Sequence, residues 1–165
     1  MPNIITESGM NFVADNAFHI EKSLLYTNLG DGVRSVEFVR GKANNLLFIE
    51  AKTTFPSPDN PSTENFVKFQ TQIDEICDKF IHSLNLFSSV KIGVAEDELS
   101  NDLILPEKIS LVFILVIKNH EFKWCKPIRE KLMTTLPLYL KKIWKPEIYV
   151  INKDVAAKYS LTVNP

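Results

Sequence analysis

The segment Asn45-Leu-Leu-Phe-Ile-Glu-Ala-Lys-Thr-Thr54 sets an acid, Glu50, and a base, Lys52, two positions apart inside an apolar run. Side chains alternate across a β-strand, so both leave by the same face. Leu47, Ile49 and Ala51 keep the opposite face apolar. Charges in such a strand are costly to bury unless they are paired, hydrogen-bonded or bound to a metal. A second acid, Glu37 in Ser35-Val-Glu-Phe-Val39, lies thirteen residues earlier. If the two segments pair as a hairpin, the carboxylates of Glu37 and Glu50 converge on one face. Two carboxylates and a backbone carbonyl suit Mg²⁺ or Mn²⁺, which prefer oxygen and keep waters for substrate phosphates. A neighbouring ammonium, Lys52, can orient an attacking water or stabilise charge on a phosphoryl group. Glu21 is a candidate third carboxylate. The plainer reading of Glu50 and Lys52 is an ion-pair ladder on an exposed sheet face, which stabilises little. In the same spirit, Glu37 can pair with Arg34 or Lys52, and Glu21 can simply face solvent.

The elements that must hold these groups follow from periodicity and turn chemistry. Val33 to Arg40 reads as a strand, Gly41 to Asn45 as a polar turn, and Leu46 to Lys52 as the partner strand of an antiparallel hairpin. Phe18 to Ser23 alternates like a strand, yet Phe18, Leu25 and Leu29 also recur at helical spacing, and both readings stand. Prolines mark 55–61 as a loop, after which Ser62 or Thr63 caps a helix carrying Phe66, Phe69, Ile73, Ile76, Phe80 and Leu84 on one side. On that helix Gln72, Glu75, Lys79 and Ser83 form a polar stripe, by default solvated, from which Lys79 could reach a phosphate. Ile109 to Ile117 is a continuous apolar run, the pattern of a central strand covered on both faces. A basic helix follows, with Pro127 in its first turn, a kink or break at Pro137 and an end near Trp144. Glu147 to Ile151 is a short strand, and Asp154 is placed to cap a last helical turn. The expected fold is α/β, a single domain over residues 1–165 with a mixed sheet and flanking helices.

Glu50-Ala51-Lys52 on the third strand, with Glu37 on the second, resembles the motif of the PD-(D/E)XK superfamily, the restriction-endonuclease-like nucleases. The order of elements over most of the chain is similar to that family's core: a helix, a three-strand meander, a helix and a further strand. The resemblance implies that Glu37 and Glu50 are metal ligands, that the Ala51 carbonyl lends a further oxygen, and that Lys52 assists phosphodiester hydrolysis. An acid on the element before the meander often contributes, and Glu21 is its nearest counterpart. The first acid of the family is typically an aspartate, often after proline or glycine, whereas Val36-Glu37 fills that slot here.

Composition bounds the remaining possibilities. The chain has 165 residues, 45% of them hydrophobic, and a net charge of −1. Residues 94–107 hold Glu96, Asp97, Glu98, Asp102 and Glu107. Residues 123–145 hold seven cations against Glu130 alone, a local excess of six, and from it Lys126 and Arg129 are candidates for backbone contacts to nucleic acid. A solvated helix face explains that stripe equally well. Cys77 and Cys125 have no metal-ligand spacing and no signal peptide is evident, so a reduced, cytoplasmic setting is expected. No apolar run reaches the roughly 20 residues of a membrane span. His19, His82 and His120 share no ligand spacing, no Gly-x-Ser-x-Gly elbow occurs, and five glycines form no phosphate-cradling loop. Within these bounds the resemblance implies a Mg²⁺- or Mn²⁺-dependent nuclease acting on DNA ahead of RNA. With no separate target-recognition domain, it would act nonspecifically, as a homodimer or through a protein partner. The alternative is the same fold used as a binding or regulatory module.

Overall fold

The computed structural model describes residues 1–97 and 103–163, so Glu98 and Asp102 of the acidic run lie outside the described residues. The chain opens with a hairpin of β1 (Ile4–Glu7) and β2 (Met10–Val13). A two-residue strand β3 (Ala17–Phe18), a 3-10 turn (Ile20–Lys22) and a short helix α1 (Leu24–Thr27) follow. Next come β4 (Phe38–Lys42), β5 (Asn45–Lys52), the long helix α2 (Thr63–Lys91) and β6 (Ser110–Ile117). The last third holds α3 (Phe122–Thr135), α4 (Leu138–Ile143), β7 (Glu147–Asn152), α5 (Lys153–Lys158) and β8 (Thr162–Val163).

A five-stranded mixed sheet in the order β3-β4-β5-β6-β7 organises the fold. Its first three strands form an antiparallel meander, and β5, β6 and β7 run parallel. The two parallel crossovers are made by α2 and by α3 with α4, as parallel pairs require. Alternation sorts β5 as its sequence implies. Leu47, Ile49 and Ala51 enter a core with Phe38, Val112, Ile114, Phe12 and Leu161. Leu46 and Phe48 enter a larger core on the other face, with Ile73, Ile76, Phe80 and Phe87 of α2 and Ile128 and Leu132 of α3. Both long helices thus lie on one face. A smaller sheet, β1-β2-β8, supplies Phe12 and Met10 to the other core, and α5 supplies Ala156.

The apolar strand β6 is buried from Leu111 to Ile117, as expected of a strand covered on both faces. The core-facing stripe of α2 recurs at three- and four-residue spacing, and its Phe80 ring stacks on Phe113 at a centroid distance of 4.5 Å. Ser62 caps α2, its Oγ accepting from the Asn65 N–H at 3.1 Å.

Several sequence expectations are corrected. Of the Val33–Arg40 segment only Phe38–Arg40 pairs as a strand, which runs on through Gly41 and Lys42 of the expected turn, because α2 side chains take the N–H groups ahead of Phe38. Arg34 N–H donates to His82 Nδ1 at 3.0 Å and Val36 N–H to Ser83 Oγ at 2.8 Å. The ambiguous Phe18–Ser23 stretch is a strand end followed by a 3-10 turn. Pro127 lies inside α3 rather than in its first turn. The turn ahead of it is anchored by Trp124, whose indole N–H donates to Asp59 at 2.6 Å, and by the buried Cys125. At Pro137 the helix breaks, with α4 a separate piece. Asn152 rather than Asp154 caps α5, accepting from the Val155 N–H at 3.1 Å. The β1–β2–β8 sheet was not anticipated. Among the described residues, no helix is long and apolar enough to cross a membrane.

Candidate functional site

Glu50 and Lys52 stand at the C-terminal end of β5, on the face that carries α2. Glu50 is fully buried. Its Oε1 receives Lys79 Nζ from α2 at 2.7 Å and lies 3.6 Å from Lys52 Nζ. Lys52 Nζ also meets Glu75 Oε1 at 3.2 Å, and Arg34 closes on the other oxygen of Glu75 at 3.3 Å. An alternating chain of charge results: Arg34, Glu75, Lys52, Glu50, Lys79. The polar stripe on α2 therefore faces the site rather than solvent. Glu75 and Lys79 enter it directly, Ser83 holds the Val36 backbone, and Gln72 keeps a buried Oε1 without a partner. Lys79 is committed to a carboxylate in this state, not left as an open phosphate contact.

Glu37 immediately precedes β4. Its N–H donates to the Ile49 carbonyl at 3.1 Å, one position off the ladder that pairs Phe38 with Ile49. It is 7% exposed. The expected pairings of Glu37 with Arg34 or Lys52 do not form, since those cations are held by Glu75 and Glu50. Instead Glu37 lies beside Glu21 of the 3-10 turn, whose backbone N–H approaches the Glu37 carbonyl at 3.4 Å. Burial pushes the Glu37 carboxyl up to about 9, helped by the neighbouring Glu21 and by the charges of Glu50 and Glu7.

Burial also raises Glu50, to about 6, against the opposing pull of Lys79 and Lys52. The Lys79 ammonium is pulled down by burial, but Glu50, with Glu37 and Glu21, more than offsets this and raises it. Burial likewise works to raise Glu75, and Lys52, Arg34 and Lys79 together outweigh it and lower the carboxyl. The site thus has a compensated half around Glu50 and an acid-rich half around Glu37. In each half one buried carboxylate oxygen, Glu50 Oε2 and Glu37 Oε2, lacks a hydrogen-bond partner. Hard oxygen donors in excess of cations are a donor set that fits Mg²⁺ or Mn²⁺.

Ala51 is buried with its carbonyl at the same strand end, but that oxygen already accepts from Ser8 Oγ at 3.1 Å. Ser8 and Gly9 form the two-residue turn of the β1–β2 hairpin, both with positive φ, 49° and 70°. This is the geometry of a type I′ turn, in which glycine is favoured. The hairpin tip brings Glu7 to the site, where its Oε1 lies 3.2 Å from His19 Nε2. Glu7 and His19 adjoin the candidate site, a proximity that sequence spacing did not expose. The signal was the Ser8-Gly9 dipeptide, a weak turn marker between two short apolar stretches.

Lys126 and Arg129 are not brought to these carboxylates. Lys126 is largely exposed and lies 3.9 Å from Glu130. Arg129 Nε donates to the Ile148 carbonyl at 2.6 Å, which ties α3 to β7. Compared with known proteins, the chain matches no family model, no curated protein and no solved structure.

Proposed function

We propose that the protein is a metal-dependent phosphodiester hydrolase of the restriction-endonuclease-like kind, acting on nucleic acid. The observation that carries this reading is the pair of buried carboxylates, Glu37 and Glu50, each with an unpartnered oxygen, beside a strand-borne lysine. Glu37 and Glu50 would hold Mg²⁺ or Mn²⁺, with Glu21 and the Ala51 carbonyl as further oxygen donors; a carbonyl has two lone pairs, so the Ser8 bond leaves one. The bound cation would supply Lewis acidity to a phosphate oxygen and a lowered pKa for a bound water. Lys52, half in solvent's reach and steadied by Glu75, would orient the attacking water or meet charge developing on phosphorus. Lys79 neutralises Glu50 in the metal-free protein and would be displaced toward substrate oxygens when a cation takes its place. The free, buried thiols of Cys77 and Cys125 support a reducing, cytoplasmic setting.

The test is cleavage of single- and double-stranded DNA and of RNA with Mg²⁺ or Mn²⁺. Lys52→Ala and Glu50→Gln should each lower the rate by about 100-fold or more, the scale of losing one electrostatic contact in a catalytic site. Metal binding without cleavage of any substrate would sink the hydrolase reading. One observation favours the second reading, a binding or regulatory module: Glu50 is already satisfied on Oε1 by Lys79 at 2.7 Å. On that reading Mg²⁺ does not raise the melting temperature, and Glu50→Gln is tolerated.

A further inference from the structure

Glu7, His19 and Glu21 come from two separate pieces of chain: Glu7 from the end of β1, His19 and Glu21 from the start of the 3-10 turn. Each offers one ligand atom, and these atoms lie within 4.8 Å of one another. Metal bonds of about 2.1 Å put neighbouring ligand atoms roughly 3–4 Å apart, so a small closure brings this set into range. Among the described residues no lysine or arginine forms an ion pair with Glu7, Glu21 or Glu37; His19, 3.2 Å from Glu7, is the basic member of this group, and Lys79 feels the charges of Glu37 and Glu21 from α2. A second observation adjoins this group: Glu37, beside Glu21 and close enough to Glu7 to feel its charge, is more than nine-tenths buried and keeps Oε2 without a partner.

We propose that Glu7, His19 and Glu21 form a second metal site, adjoining the Glu37 and Glu50 site and meeting it at Glu21, that takes a first-row transition cation such as Mn²⁺, Co²⁺ or Zn²⁺ in preference to Mg²⁺. The preference follows from the imidazole: nitrogen suits these ions, whereas Mg²⁺ takes oxygen and holds its waters. The site spans the hairpin and the body of the protein, so an ion there fastens the β1–β2 tip, and with it Ser8, against the Ala51 strand end. It also fixes the orientation of Glu21. The inference does not depend on hydrolysis; it would hold for a protein that binds nucleic acid and never cuts.

Calorimetric titration with Co²⁺ and with Mg²⁺ tests it on the full chain. The Glu50→Gln protein isolates the second site, and should bind Co²⁺ at least about tenfold more tightly than Mg²⁺. Adding His19→Ala or Glu7→Gln to that background should weaken Co²⁺ by at least about tenfold, with circular dichroism confirming an unchanged fold. If Glu50→Gln does not fold, the comparison moves to the wild-type protein, where His19→Ala should remove one of two Co²⁺ sites and leave the other. Absence of Co²⁺ binding, or binding indifferent to both His19→Ala and Glu7→Gln, overturns the proposal. Either result stands apart from the cleavage assay, which is run with Mg²⁺ and read through Lys52.

Discussion

Glu37 shows how one side chain can carry both a cost to the fold and a use. Its carboxyl is pushed up to about 9, first by burial and then by Glu21, Glu50 and Glu7, whereas an unfolded glutamate titrates near 4.5. A raised folded pKa contributes stability that is fully present below the unfolded value and is lost as pH rises through the folded value. In a chelator, the urea midpoint of the wild-type protein should therefore fall between about pH 4.5 and pH 9. Glu37→Gln cannot ionise, so it should be the more stable form at pH 8, and its advantage should grow through that window and level off above it. Parallel midpoints for the two proteins would show that Glu37 is not held protonated. The lysines beside Glu50 have the opposite effect, and this contrast is why one half of the site is electrostatically quiet and the other is not.

At the scale of elements, the hairpin β4–β5, the helix α2 and the buried strand β6 were legible because each carries a long, regular apolar pattern. The face shared by Glu50 and Lys52 followed from alternation alone. The N-terminal hairpin was not legible: four-residue strands give too short a pattern, and Ile4-Ile5-Thr6-Glu7 reads as an unremarkable lead-in. Nor did spacing reveal that Val33–Val36 would lie on α2, since its β-branched residues suit a strand and the competing acceptors, His82 and Ser83, are some 48 positions away. Charge counts also do not say which cations of the basic stripe bond inward, as Arg129 does, and which stay exposed, as Lys126 does. The hairpin turn offers a test of its own. Gly9 has φ +70°, and a Cβ there would meet Lys118 Nζ at 2.6 Å, the movable end of a flexible side chain. Gly9→Ala should then destabilise mainly through its backbone, by about 1–2 kcal/mol, while Ser8→Ala, losing one hydrogen bond to Ala51, should cost about 1 kcal/mol. Chemical denaturation measures both, and a neutral Gly9→Ala would mean that the turn is not of the I′ form.

Across the whole molecule, the sheet divides labour between its faces: α2 and α3 cover the face with the charged site, and the small sheet with α5 covers the other. Under this arrangement the cations of α3 differ according to where they point. Arg129 spends its Nε on the Ile148 carbonyl at 2.6 Å, joining the helix to the last strand of the main sheet. Lys126 has only the exposed Glu130, a pairing worth little in water. Arg129→Ala should therefore lower stability by about 1.5–3 kcal/mol, the range for a charge-assisted hydrogen bond. In a chain of this length that corresponds to a melting temperature lower by roughly 3–10 °C. Lys126→Ala should leave the melting temperature within about 2 °C, since surface changes of this kind stay near ±0.5 kcal/mol. Nucleic-acid affinity separates scaffold from contact. If α3 only supports the sheet, neither change alters the slope of log affinity against log salt. A loss of about one unit of slope on Lys126→Ala would instead make that lysine a phosphate contact and extend the binding face onto α3.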